Sequence, residues 1–502
     1  MDAHRSLGQG TRERLLGVEL TPLLVVGAVA IAGSATLSAY YVHPLALPAA
    51  ILGLGFIVVA VRRPAWALAV AVLAVPAEVA ELPLGSGSLS PTEGMLALVG
   101  LSWLVRATLQ RSAGRYVGPR DLPIAFLLAA VAIGLVIAYD PAPVVRIFLL
   151  WSLFFCVYLA IRSFTVSEIR LVIGSFLLGA GVLGALGAAE YLASGQTGVM
   201  AGGEVTEARA VGTFADANYF AALLTLGLLP GIGLILTDLR RFAPLVPAAL
   251  GALAGVIFSL SRGGTLGLLG GLLLLLAWAP GRRAVAAVIA VAAVALAVGS
   301  ELGEGAGPLG PVVERLSTLT AETHVVENQR PAIWRTARAI AVDNPVVGIG
   351  VNQFSYESVA RHLYERGAPL ENSHSLPFSL AAETGVVGLV AFVALFTQVL
   401  ARGLRAVGRA SPETRGLLFG LLGALVAFAV QSATVVHVRM PVVMGAFLVI
   451  AGLTTGLHDR VTATGDRRGG AGVPASRRRA RPRRSSDCGR RSGRSAAGGS
   501  RG

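Results

Sequence analysis

Residues 218–237 read NYFAALLTLGLLPGIGLILT, a run with no ionisable acid or base and a length of 20 residues. That is about what an α-helix needs to cross the hydrocarbon core of a bilayer. Similar stretches recur at about 17–37, 45–61, 65–80, 93–106, 122–138, 146–161, 171–190, 242–260, 265–279, 283–298, 376–400, 415–434 and 438–457. Leu, Ala, Val and Gly dominate them, without the alternating polar pattern that a membrane barrel needs. Hydrophobic residues make up 54% of the chain and charged residues only 14%, well outside the balance of a soluble globular domain. The expectation is an all-α fold, a polytopic membrane helical bundle of twelve to fourteen spans over residues 1–460. The short third, fourth and tenth stretches are candidates for re-entrant or half-length segments.

Arginine placement orients the bundle. The sequence has no Lys, so all 42 basic side chains are Arg. With the first span leaving the cytoplasm, the inner ends carry Arg5, Arg12, Arg14, Arg62, Arg63, Arg106, Arg111, Arg115, Arg120, Arg162, Arg170, Arg240, Arg241, Arg282, Arg283, Arg402, Arg405, Arg409 and Arg415. This is the excess expected on the cytoplasmic side. The chain then has both termini inside, in the cytoplasmic membrane, and the first span is expected to be retained. Arg146, Arg262, Arg330 and Arg439 fall at outer ends, where orientation statistics do not favour them. An arginine there can snorkel to headgroups. Arg262, flanked by Ser261 and by Gly263-Gly264, suits a close approach of helix or ligand better.

Two regions stand apart. Residues 461–502 are rich in Gly, Ser, Pro and Arg and read as a disordered cytoplasmic tail. Their twelve arginines against Asp466 and Asp487 supply ten of the fourteen formal positive charges, so anionic membrane lipids are the expected partner. Without a folded module or interleaved aromatics, no nucleic acid is expected. The other region, residues 299–375, is a large outer loop. It opens with Gly303, Gly305, Gly307, Pro308, Gly310 and Pro311, and then regains helical spacing over Arg330 to Asp343 until Asn344-Pro345 stops it. Val347-Gly348-Ile349-Gly350 suggests a tight turn, and residues 352–366 a second short helix. Cys156 sits in a span and Cys488 in the tail, with neither a disulfide nor a metal-site pattern.

Polar residues recur against this apolar background as Ser259-Leu260-Ser261-Arg262-Gly263-Gly264, then Asn328-Gln329-Arg330 with Trp334, then Glu371-Asn372-Ser373-His374 with Glu383. Ionisable groups near membrane depth are costly and mark candidate sites. Two guanidinium forks match phosphate oxygens and would stabilise a diphosphate leaving group. A histidine opposite them could take a proton from a hydroxyl. The set suits transfer from a lipid diphosphate to an alcohol.

Over residues 200–457 the chain resembles the O-antigen ligase and polymerase superfamily of bacterial envelope proteins. The resemblance runs through Arg209-Ala210-Val211-Gly212-Thr213-Phe214 with Asp216 and Asn218, Ser261-Arg262-Gly263, and Arg330 with Trp334. It continues through Asn344-Pro345 with Gly348 and Gly350, then Asn372 to His374 with Glu383, Gly385 and Gly388-Leu389. It implies a membrane glycosyltransferase that moves an oligosaccharide from an undecaprenyl-diphosphate carrier to an acceptor sugar hydroxyl, without a metal or other cofactor. Arg262 and Arg330 would engage the diphosphate, and His374 would deprotonate or orient the acceptor. Ligase and polymerase activities use the same donor and stay open, as do sugar, linkage and acceptor.

Several surrounding residues have two readings. Glu383 would pair with an arginine or orient the site, or serve the fold alone. Trp334 would anchor the loop helix or stack on a sugar; Asp216 and Asn218 would contact the donor sugar or cap a helix. Arg209 would be a third phosphate contact, and His437 with Arg439 would line the acceptor route. A lipid-oligosaccharide flippase is the competing class; it would show inverted repeats and midplane polar groups, whereas here the polar residues gather at outer ends.

Overall fold

The computed structural model describes residues 46–278 and 330–470, apart from 80–81, 85–86, 112–116, 195–197, 202–203, 215, 363, 366–367 and 371. The stretches expected to span at 17–37 and 283–298, the loop opening at 303–311, Asn328, Gln329, Glu371, and the tail beyond 470 lie outside the described residues. In chain order the helices are α1 (Ala46–Arg62), α2 (Pro64–Leu73), α3 (Pro91–Leu109), α4 (Leu122–Ile137), α5 (Pro141–Ile161), α6 (Val166–Ser194) and α7 (Ala217–Thr237). They continue with α8 (Val246–Phe258), α9 (Arg262–Trp278), α10 (Arg330–Asp343), α11 (Phe354–Ala360), α12 (Leu376–Val407), α13 (Pro412–Ser432) and α14 (Pro441–Gly470).

The chain is a polytopic membrane helical bundle. Among the described residues eight helical segments are long and apolar enough to cross a bilayer, while Ile51–Arg62, Pro64–Leu73 and Arg262–Trp278 are shorter apolar helices. The third expected span is thus a half-length helix, ended by the 3-10 turn Val75–Val79. The last helix runs to Gly470, ten residues into the segment read as disordered. Short hairpins also occur, at Leu82–Leu84 with Gly87–Leu89, Gly198–Ala201 with Glu204–Ala208, and Tyr364–Glu365 with Ala368–Pro369. Each lies in a connection expected on the outer side.

Local signals start the helices. Ser90 and Glu93 form a capping box on α3, and the side chains of Asp140, Asp216 and Ser411 cap α5, α7 and α13; each supplies an acceptor to amides that have no intrahelical partner. Small residues then let the helices meet at backbone distance, the usual membrane solution where water cannot drive packing. A Cβ on Gly184 of α6 would come within 2.4 Å of the Gly251 carbonyl oxygen of α8. One on Gly233 of α7 would come within 2.5 Å of the Gly416 carbonyl oxygen of α13, and one on Gly271 of α9 within 2.8 Å of that of Gly423. The spans of α7 and α14 are the central ones, 83% and 94% buried.

Charged pairs join helix ends expected on the same side. At ends expected inside, Arg162 bonds Asp121 (3.2 Å) and Asp459 (3.3 Å), Arg120 bonds Asp459 (3.2 Å), and Arg170 bonds Glu413 (2.6 Å). At ends expected outside, Arg146 pairs with Glu93 at 2.8 Å, which gives that exceptional arginine a structural partner. The Gln353 side chain exchanges two hydrogen bonds of 2.9 Å with the backbone of Asp140.

Gln353 belongs to the loop, which folds on a small core of its own. Ile333, Ala337 and Ile340 of α10 pack with Ile349, Phe354, Leu370 and Ala382. The second loop helix is shorter than expected: α11 stops at Ala360, where His362 adopts a left-handed φ of 55° and the hairpin strand at Tyr364 follows.

The segment expected as a tight turn does more. Helix α12 breaks at Gly385, whose φ of 63° and ψ of −166° are not helical, and residues 345–350 fill the break. Ile349 and Gly350 amides donate to the Ala382 and Glu383 carbonyls at 3.1 and 2.9 Å, while Val386 and Val387 amides donate to Pro345 and Val346 carbonyls at 2.8 and 3.3 Å. The orphan groups of a broken helix must be satisfied in place at membrane depth. Here the loop supplies them, splicing itself into the helix.

Candidate functional site

Arg209 follows the hairpin before α7 and is buried. Its Nε donates to the Ser259 carbonyl at 2.9 Å and a terminal nitrogen to Asn218 Oδ1 at 3.3 Å. Asn218 Oδ1 also accepts from Ser261 Oγ at 2.9 Å. The turn between α8 and α9 is tight: Leu260 has a φ of 52°, and Ser261 Oγ accepts the Gly264 amide at 3.1 Å, capping α9. Arg262, the first residue of α9, projects from this braced turn and is exposed. Asp216 Oδ1 accepts the amides of Asn218 (2.6 Å) and Tyr219 (3.3 Å), so its carboxylate is engaged as the cap of α7.

Arg330 begins α10, and Trp334 lies one turn on. Trp334 Nε1 donates to the Ser373 carbonyl at 3.1 Å, and its ring stacks on Phe378 with centroids 5.5 Å apart. These contacts fasten the arginine-bearing helix to the residue before His374. His374 has a φ of 50°, a conformation uncommon outside glycine, and its amide donates to Asn372 Oδ1 at 2.8 Å. The buried Ser373 Oγ braces the same turn through the Ser375 carbonyl (2.7 Å) and Ser379 Oγ (2.8 Å).

Glu383 is buried. Its carboxylate accepts from the backbone of Asn352, Gln353 and Phe354, the last at 3.3 Å, and lies within electrostatic reach of Arg439. Thr434, just past the end of α13, lies against the first turn of α9: a Cβ on Gly263 would come within 2.8 Å of Thr434 Oγ1. His437, expected along an acceptor route, is fully buried. It is 0% exposed, bonds Ser432 Oγ at 3.1 Å through Nδ1, and packs on Phe428 with centroids 4.5 Å apart. Burial pushes its pKa down from 6.5 to about 3, so it is neutral. Apolar aromatic neighbours, rather than water, set its environment.

Two braced groups thus hold the candidates: Arg209, Asn218 and Ser261 around the turn before Arg262, and Trp334 with the Ser373–His374 turn that it ties to the helix of Arg330. The residues that sequence reasoning passed over are the brace. Gln431 Nε2 donates to Thr225 Oγ1 at 2.9 Å beside the glycine face of α9, and nothing in a Gln and a Thr so far apart in sequence signals that pairing. Among the described residues, His, Cys, Asp and Glu side chains form no group of three or more that could hold a metal ion.

No curated protein matches. A chain in a solved structure described as "Structural coordination of polymerization and crosslinking by a peptidoglycan synthase complex" is 19% identical, with 68% of this chain and 98% of that chain covered and a TM-score of 0.38; a likeness of that size carries no argument. The family described as O-Antigen ligase matches residues 247–393, the stretch that holds Arg262, Arg330, His374 and Glu383. Residues 247–393, somewhat under a third of the chain, thus match an O-antigen ligase domain.

Proposed function

We propose that this protein transfers or polymerises an oligosaccharide from an undecaprenyl-diphosphate-type lipid carrier to an acceptor sugar hydroxyl, at the outer face of the cytoplasmic membrane. The observation that carries this reading is His374, held in a left-handed backbone conformation with φ of 50° on a turn bonded to the helix of Arg330. Backbone strain of this kind costs about 1–3 kcal/mol and concentrates where a side chain must be aimed.

In the proposed reaction the acceptor oxygen attacks the anomeric carbon of the lipid-linked sugar and gives its proton to His374. The bond from that carbon to the diphosphate oxygen breaks, and the lipid diphosphate leaves with the electron pair. Arg262 and Arg330 stabilise its negative charge. Direct attack inverts the anomeric centre. Arg209 and Asn218 brace the Arg262 turn, and Trp334 ties the helix of Arg330 to the residue before His374. Both termini lie in the cytoplasm.

The test is glycan transfer from a lipid diphosphate by purified protein carrying His374→Ala, Arg262→Ala or Arg330→Ala. A positioned general base is worth roughly 100-fold or more, as is a preorganised electrostatic contact to the departing charge, so each variant should lose at least that. Near-wild-type turnover by His374→Ala would remove it from the chemistry. Cysteine labelling of intact cells checks the orientation, with residue 374 reached from outside and residue 409 only after permeabilisation.

A further inference from the structure

We propose that the loop of α10 and α11 is anchored in the leaflet on its own side of the membrane. The end of α10 and the segment that fills the break in α12 form a lipid-binding surface, with Val342 and Val346 among the acyl chains and Arg338 at the headgroup phosphates. The inference goes beyond the transfer reaction and does not depend on it.

The level of the segment comes first. Residues 345–350 bond to both sides of the break at Gly385, and the part of α12 beyond it, 386–407, has the roughly 20 residues that a crossing needs. The same segment touches the end of α4, whose span ends at Ile137. A Cβ on Gly134 would come within 3.3 Å of Gly350 Cα, and one on Gly350 within 3.2 Å of Ala138 Cβ. The segment is therefore level with the last turn of a spanning helix, where Val136 is 87% exposed, as a lipid-facing residue is. Backbone at that level must find its hydrogen bonds within the protein. Besides the four bonds across the break, the Asn344 amide donates to the Ile340 carbonyl at 3.0 Å and the Gly348 amide to the Asn344 carbonyl at 3.1 Å.

Exposure and charge agree with that level. Val342 and Val346 are 67% and 57% exposed, and Val386 and Val390, just past the break, 51% and 58%. The Val346 carbonyl accepts the Val387 amide at 3.3 Å, so the exposed valines of the loop adjoin those of a membrane span, and an apolar patch of that kind marks a contact with the bilayer. The chain descends toward it, from Trp334 beside Ser373 and Phe378 to Val346 beside Gly385. Arg338 is exposed four residues before Val342, about 6 Å back along the helix. There its guanidinium reaches phosphate oxygens while the valines stay in hydrocarbon.

The experiment places a nitroxide label on the full chain in bilayers of phosphatidylethanolamine and phosphatidylglycerol. The labelled variants are Val342→Cys, Val346→Cys, Val390→Cys and Arg335→Cys, each with Cys156→Ala and Cys488→Ser. Collision with oxygen, which concentrates in hydrocarbon, is compared with collision with a water-soluble nickel chelate. The oxygen-to-nickel ratio at positions 342 and 346 should match that at 390 and stand several-fold above that at 335, farther from the break. Adding Arg338→Glu should lower the ratio at 342 several-fold, as the helix end is pushed away from the phosphates. A ratio at 342 and 346 equal to that at 335 overturns the proposal. So does a label shielded from both reagents, which would mean that protein, such as a second copy of the chain, covers the valines. An unchanged ratio in Arg338→Glu overturns the phosphate contact. Wild-type protein gives a check free of substitutions: a phospholipid with a diazirine on its acyl chain should leave adducts on residues 341–346 after irradiation. Adducts on 386–393 with none on 341–346 overturn the proposal even where a labelled variant does not fold. Each of these failures leaves the transfer reaction standing.

Discussion

Replacing Gly385 with Ala separates the loop from the helix it completes. At Gly385 the backbone has φ of 63° and ψ of −166°, a region that essentially only glycine occupies, and holding another residue there costs about 1–3 kcal/mol. The new Cβ would also stand 2.2 Å from the Val346 carbonyl oxygen and 2.5 Å from the Val347 nitrogen. Both are backbone atoms, so no side chain can rotate away to relieve the contact. The segment must withdraw, and the bonds at stake are the four that join 345–350 to 382–387. At about 0.5–1.5 kcal/mol net each, they bring the local penalty to roughly 3–9 kcal/mol with the strain included. That is enough to open the splice while the glycine-lined contacts among α6, α7, α8, α9 and α13 remain. Expected outcomes are a Gly385→Ala protein that inserts and purifies normally, is cleaved by protease between residues 344 and 375 far faster than wild type, and loses at least 100-fold in glycan transfer because His374 and Arg330 are no longer held together. A variant with wild-type protease resistance and turnover would refute the reasoning, since it would mean that the loop does not depend on the break.

The remaining expectations concern other contacts. Arg162→Ala leaves the buried Asp121 carboxylate, 1% exposed, without its arginine; breaking such a pair costs about 3–5 kcal/mol and should show as a large drop in the unfolding midpoint, whereas Arg120→Ala, at a half-exposed position, should change it little. Trp334→Phe keeps the ring stack on Phe378 but loses the bond to the Ser373 carbonyl, so transfer should fall while stability changes by only about 1 kcal/mol; an unchanged rate would show that the bond does not aim His374. His437 stays neutral in the fold until about pH 3, while its ordinary pKa is 6.5. The unfolded chain therefore takes up a proton first, and stability is lost as pH falls from about 6.5 toward 3, by at most about 1.4 kcal/mol per pH unit. Unfolding midpoints of His437→Gln between pH 7.5 and 5 should fall less than those of wild type; equal slopes would contradict the buried, neutral assignment.

The membrane architecture is legible in the sequence because the bilayer imposes one simple demand, about 20 apolar residues per crossing, and runs such as 218–237 meet it openly. The helix at Arg330–Asp343 is equally readable, since Ile333, Ala337 and Ile340 share one face. What periodicity could not convey is the break at Gly385. Its amides and carbonyls are satisfied by residues 345–350, and such a pairing depends on a backbone conformation that leaves no pattern in the side chains. The surroundings of His437 are not legible either: the sequence places it with Arg439 along an acceptor route, whereas its packing on Phe428, itself stacked with Phe447, depends on residues of other helices. Asp216 and Asn218 carried both of their readings in the sequence, and only the short distances to the amides of α7 and to Arg209 reveal what each side chain touches.

The glycine seam between α7 and α13 also bears on how the protein is made. Thr237, where α7 ends, and Pro412, where α13 begins, lie about 175 residues apart, roughly 10–35 s of synthesis at ordinary bacterial or eukaryotic rates. Through that interval α7 waits in the bilayer with Gly233 uncovered and Thr225 without the Gln431 amide that it later accepts from. One of the two most buried helices is therefore among the last to be fully covered, and a ribosome stalled before α13 would leave a nascent chain whose central helix is inserted with one face still open, a natural substrate for membrane quality control.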